Sequence, residues 1–144
     1  MERSKLSKNF DWCEFSKSDM AKAHHINNEI IDWDVRDNIK ALVDNVLQPL
    51  RDAWGGPIFI NSGYRCKELN ELVGGVETSQ HCKGMAADCG VSDPYALAKL
   101  AKKMGLVMDQ MILYPNFLHL SYRADGENRG QILYNKKWKG ARDL

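Results

Sequence analysis

One periodicity constrains this chain more than any other feature. From Val35 to Trp54 the apolar side chains fall at positions 35, 39, 42, 43, 46, 47, 50 and 54. That spacing repeats every 3.6 residues and predicts a long amphipathic helix whose apolar stripe must be covered by other elements. Pro49 sits late in the pattern and should kink the helix or shorten its last turns. Gly55 and Gly56 then end it.

The rest of the chain supplies the cover. "PIFIN" at 57–61 reads as a short buried strand, "SGYRC" at 62–66 as a turn and "KELNELV" at 67–73 as a short helix ended by Gly74 and Gly75. "MAADCGV" at 85–91 reads as a strand of small residues. Asp93 as N-cap, Pro94 at the first helical position and Gly105 at the far end bound a second good helix. "MDQMILY" at 108–114 and "FLHLSYR" at 117–123 read as antiparallel strands joined by a tight turn at Pro115–Asn116, with "GQILYN" at 130–135 as a third strand of that sheet. Upstream, residues 1–15 read as a loosely held arm, 16–23 as a short capped helix and 24–34 as a connecting segment. Helices first and a mostly antiparallel sheet afterwards indicate a small single α+β domain over 1–144.

Composition narrows the function classes. The 144 residues fit one core, and the hydrophobic fraction of 44% is that of a globular chain. Lysine and arginine number 20 against 19 acidic residues, so no nucleic-acid or membrane partner is expected. The basic cluster from Arg123 to Arg142 reads as solvated surface. No apolar run reaches the ~20 residues of a membrane helix, and the charged N-terminus has no apolar signal core. The reading is synthesis in the cytoplasm without a signal peptide, with a monomer as the expected state. Cys13, Cys66, Cys82 and Cys89 form no CxxC pair and read as free thiols. The adjacent His24 and His25 read as surface residues.

In "SQHCKGMAAD", His81 and Asp88 stand seven positions apart with small residues between them. A catalytic zinc usually takes three histidine or carboxylate ligands and keeps one position open. These two residues would supply two ligands, and His119 in "FLHLS", the remaining strand histidine, would supply the third. On that strand Phe117, His119 and Ser121 share one face, and Leu118, Leu120 and Tyr122 the other. Taken singly, each residue has an ordinary explanation: a core histidine bonded to backbone, or an aspartate capping a turn.

"SGYRC", "LNELVGG", "SQHCKGMAAD", "DQMILYPNFLHLSY" and "NRGQ", in that order, resemble the zinc D-Ala-D-Ala carboxypeptidase family, the M15 peptidases, over about Asn9 to Tyr134. The resemblance implies the α+β fold shared with the hedgehog signalling domain and Zn²⁺ held by His81, Asp88 and His119. It implies peptidoglycan stem peptides as substrate and the bacterial cell wall as the place of action. Family members include D,D-carboxypeptidases, dipeptidases and phage endolysins that cut between L-Ala and D-Glu, and a phage or mobile-element origin would fit a chain without a signal peptide.

The chemistry asks for more than a metal. Arg65 is the candidate to hold a substrate carboxylate or a developing oxyanion, because its planar fork grips such groups bidentately. Ser79 and Gln80 are candidate substrate donors, or else they shape the turn; Asn70 reads as structural. Family members carry Asp or Glu three residues before the last histidine, where this chain has Asn116, and an amide cannot take up and return a proton. Three readings follow from that departure. Another carboxylate serves as base, with Asp109 first and Asp125 or Glu127 after it. Alternatively, Asn116 only orients the nucleophile, or the protein is a non-hydrolytic wall-binding module that contains zinc.

Overall fold

The computed structural model describes residues 5–144. The long helix is present but is not uniform: α3 (Trp33–Leu42) passes into a π-helical segment (Val43–Leu47) and then α4 (Gln48–Trp54). The π segment replaces the kink expected of Pro49. It widens the turn just before the residue that has no N–H to give, and the Gln48 N–H reaches back to the Val43 carbonyl. Asp32 caps the start, accepting hydrogen bonds from the N–H groups of Asp34 and Val35, and Gly55 closes the end in the left-handed conformation. Ile39, Leu42, Val43, Val46, Leu47 and Leu50 are fully buried along the stripe. Each contributes roughly 1.5–3 kcal/mol by leaving water.

The residues read as an arm are part of the core instead. Leu6, Phe10 and Phe15 are buried, and residues 12–16 form the short helix α1 (Trp12–Ser16). The Lys40 ammonium donates to the Leu6 carbonyl, and the Gln48 side chain bonds Ser7 and Asn9. Residues 1–4 of that stretch lie outside the described residues. A second short helix, α2 (Asp19–Ala23), is capped by Ser18 as expected. Helices α5 (Lys67–Leu72) and α6 (Pro94–Lys103) fall where the sequence pattern places them, and α6 starts from the Asp93 side chain.

Five strands form one sheet in the order β1-β2-β4-β3-β5: β1 (Phe59–Ser62), β2 (Ala86–Gly90), β3 (Gln110–Leu113), β4 (Phe117–Ser121) and β5 (Gln131–Tyr134). All neighbours are antiparallel except β3 and β5, which run parallel. Leu118 and Leu120 of β4 are buried in the core, which Leu97, Ala98 and Ala101 of α6 share; His119 faces the other way. Among the described residues no helix is long and apolar enough to cross a membrane.

The topology has a consequence for chemistry. Ser62 pairs with Asp88, Ala86 with Ser121, Met111 with Leu120 and Gln110 with Gln131. The end of β1, the start of β2, the end of β4 and the starts of β3 and β5 therefore all lie at one end of the sheet. The residues just beyond them, Arg65, His81, Asp109, Arg123 and Arg129, are gathered there from four separate connections, Arg123 and Arg129 sharing the one between β4 and β5.

Candidate metal centre

His81 sits in a 3₁₀ turn (Gln80–Lys83) whose start is fixed by Ser79, its hydroxyl accepting the His81 N–H at 3.2 Å. Gly84 closes the turn at φ 75°. A Cβ there would come within 2.6 Å of the Val35 carbonyl oxygen, so only glycine lets the turn seat against α3. Asp88 projects from the middle of β2, and His119 from the directly paired position on β4. The Asp88 Oδ1 lies 2.8 Å from His119 Nδ1 and 3.3 Å from His81 Nε2. The candidate ligand atoms of the three residues all lie within 4.8 Å of one another. The structure thus brings together the trio expected from the sequence.

Protonation decides what this trio can do. His81 Nδ1 is 2.7 Å from the Gly63 carbonyl oxygen, which can only accept, so Nδ1 carries the proton. In the neutral imidazole Nε2 then presents a lone pair, and it faces a carboxylate oxygen. Two acceptors at 3.3 Å repel unless a proton or a metal cation stands between them. Burial pushes the Asp88 carboxyl upward, but the hydrogen bond with His119 and the neighbouring imidazoles outweigh it and hold the group well below the usual carboxylate range. Two imidazoles and one ionised carboxylate match the donor preference of zinc, and the Gly63 carbonyl supplies the outer partner that fixes a ligand histidine.

The trio lies in a cleft of about 700 Å³. Arg65 lines it. Its backbone N–H donates to the His81 carbonyl, while its side-chain Nε is buried without a protein partner. Such a donor is costly to leave unmet, and an acceptor arriving in the cleft would satisfy it. Ser79 and Gln80 line the cleft too, but their polar groups already shape it: the Ser79 hydroxyl caps the 3₁₀ turn, and the Gln80 amide donates to Asp109 Oδ2 at 2.8 Å.

Asp109 is fully buried and accepts four hydrogen bonds. Oδ1 takes the Arg129 N–H at 3.1 Å and its Nε at 3.0 Å; Oδ2 takes Arg129 Nη2 at 2.7 Å and the Gln80 amide. A carboxylate has about four lone-pair sites, so none is left over. The Arg129 hydrogen bonds hold its carboxyl far below the usual range. Asp125 reaches the cleft beside Arg123, at 3.5 Å and exposed. Asn116 is exposed in the β3–β4 turn, and the cleft lining extends to Tyr114 but not to Asn116. Asn70 is buried and donates to the Val76 carbonyl. The four cysteines are free, and burial pushes the Cys89 thiol far up, which makes it inert.

Arg129 and Tyr114 as cleft residues, and the Gly63 carbonyl as the partner of His81, emerge only from the fold. The "NRGQ" stretch held the first signal, since it follows the site strand by only a short loop.

Fold and site together define an α+β protein with a His–Asp–His donor set of the kind that holds a divalent metal. The model of the peptidase M15 family matches residues 13–121, and the chain belongs to that family. A curated relative, the zinc D-Ala-D-Ala carboxypeptidase of Streptomyces albus G, is 36% identical over 86 residues, or 58% of this chain and 34% of that protein. The chain spans about a third of the length of this relative.

Proposed function

We propose that the protein is a zinc peptidase that hydrolyses peptidoglycan stem peptides, in the manner of a D-Ala-D-Ala carboxypeptidase. The observation that carries this reading is the lone pair of His81 Nε2 aimed at the ionised Asp88, with His119 completing a donor set that a metal cation would reconcile. His81, Asp88 and His119 would hold the ion. Bound there, zinc supplies Lewis acidity toward water and a peptide carbonyl.

The chain's own residues do the rest. Arg65 offers its unmet Nε–H and its guanidinium fork to the terminal carboxylate of a D-Ala-D-Ala peptide or to the oxyanion that develops on the carbonyl. The 3₁₀ turn, tied by Ser79 and Gln80, keeps His81 from rotating away. Proton transfer needs a carboxylate with a free lone pair. Asp109 has none, so Asp125, which lines the cleft with open solvent access, is the better placed of the candidates.

Asn116 favours a second reading. Without a base at that position, the protein would bind zinc and wall peptide without cutting. An endopeptidase acting between L-Ala and D-Glu uses the same metal and differs only in how the cleft seats the peptide.

Incubating zinc-loaded protein with defined muropeptides at neutral pH, with products read by mass spectrometry and His81→Ala as control, decides among them. Release of one D-Ala identifies the carboxypeptidase, and cleavage after L-Ala the endopeptidase. No zinc-dependent product, with stoichiometric zinc bound, leaves the binding module.

A further inference from the structure

Arg129 is the one cleft arginine whose guanidinium is fixed by a buried carboxylate. Asp109 grips it through Nε and Nη2, and also takes its backbone N–H. That grip uses one edge of the guanidinium. The remaining N–H groups, both on Nη1 and the second on Nη2, have no protein partner among the described residues, and the side chain is 53% exposed. The free edge is a second bidentate fork of the shape that a carboxylate fits. Because Asp109 already holds the guanidinium in place, little side-chain freedom is lost when a ligand docks.

Position gives this fork a meaning. Arg65 follows β1 and Arg129 precedes β5, the two edge strands, while Asp88 on β2 and His119 on β4 lie between those edges. From β4 to β5 is two strand spacings, or roughly 10 Å. An extended peptide covers that distance in about three residues.

We propose that Arg129 forms a second carboxylate-binding subsite of the cleft, one that selects peptides with an acidic residue about three positions from the reacting bond. The subsite rests on the proposed peptide substrate but not on hydrolysis. Asp109 acts in it as a positioning residue, orienting Arg129 and, through Gln80, the turn that carries His81. An alternative role for the pair, a clamp that only shapes the turn, makes a different prediction about ligand chemistry.

The test uses two stem peptides that differ at one group, a free side carboxylate in one and the corresponding carboxamide in the other. Affinities for zinc-loaded wild type, Arg129→Ala and Arg129→Lys are read by calorimetry, or as KM where turnover occurs. The wild type should prefer the free acid by roughly tenfold or more. Arg129→Ala should abolish that preference while leaving the amide peptide's affinity and the zinc content unchanged. Arg129→Lys, which keeps the charge but lacks the fork, should retain only part of it and guards against misfolding of the alanine variant. Equal affinities in the wild type, or a preference that survives Arg129→Ala, overturn the subsite. Loss of both peptides together in the variants assigns the pair a purely structural role and overturns it too. If no peptide is cleaved yet the acid preference depends on Arg129, the subsite stands and the hydrolase reading falls.

Discussion

Asp88 and Asp109 stand at the same end of one sheet, both ionised, and do opposite things. Asp88 contacts two histidines, whose ring nitrogens can ligate a metal together with it. Asp109 contacts an arginine, which cannot give up its proton and fills the carboxylate's lone pairs. The first carboxylate is held ready for a cation, and the second is spent on a bridge between β3, the His81 turn and the segment leading into β5. Burial alone therefore does not mark a catalytic carboxylate; the ionisation chemistry of its partner does.

The largest effect expected from breaking that contrast is on the metal side. Replacing His119 by alanine should lower zinc affinity by more than the roughly 10–100-fold typical of losing an outer partner, and abolish zinc-dependent activity. The melting transition of the metal-free protein should remain cooperative, because the core from Leu6 to Leu120 contains none of the three ligands. Zinc stoichiometry and calorimetric melting check both halves. Unfolding of the metal-free protein would instead make the site structural, as in zinc fingers.

Gly63→Ala attacks the same centre from outside. A Cβ at this position would come within 2.8 Å of the Phe15 Cα, a backbone atom that cannot swing aside, so the Gly63 carbonyl must move off His81 Nδ1. Zinc affinity should fall by about 10–100-fold. A competitive titration against a chromogenic chelator reads the change, and an unaltered affinity would show that the carbonyl does not set the ring.

Asp109 gives the converse test. Asp109→Asn places an amide donor against the donors of Arg129 or Gln80. Stability should drop by about 1–3 kcal/mol, toward the lower figure because half-exposed Arg129 can rehydrate. Denaturant unfolding measures this, and zinc content should stay stoichiometric. A variant that loses zinc as readily as His119→Ala would erase the distinction between the two carboxylates.

Much of this was legible in the chain and some was not, for physical reasons. The stripe from Val35 to Leu50 and the caps Asp93 and Gly105 are local, so helix positions follow from them. The metal trio was legible because His81 and Asp88 are separated by small residues that allow a tight turn into a strand. The burial of Leu6, Phe10 and Phe15 was not, since it depends on contacts with residues such as Lys40, Gln48 and Gly63 far along the chain. Likewise nothing local to Asp109 announces Arg129, twenty positions away, as its partner. The parallel placement of β5 beside β3 makes that meeting possible, and strand order is a property of the whole sheet.

The smallest expected effect is on the acid limb of stability. The Arg129 hydrogen bonds hold the Asp109 carboxyl below its unfolded value of about 4. A group with a depressed folded pKa stabilises the fold at every pH above the unfolded value and loses that contribution as pH falls through the folded one. Wild-type stability should therefore decline progressively below about pH 4. Asp109→Asn has no such carboxyl to protonate, so its decline should be shallower and the two curves should converge toward low pH. Melting temperatures of the metal-free proteins across that range compare them directly. Using metal-free protein removes zinc release from the readout, and the residual slope in the variant then reports the other carboxylates, Asp88 among them. Parallel curves would mean that Asp109 is not ionised in the folded state, and the contrast with Asp88 would have to rest on geometry alone.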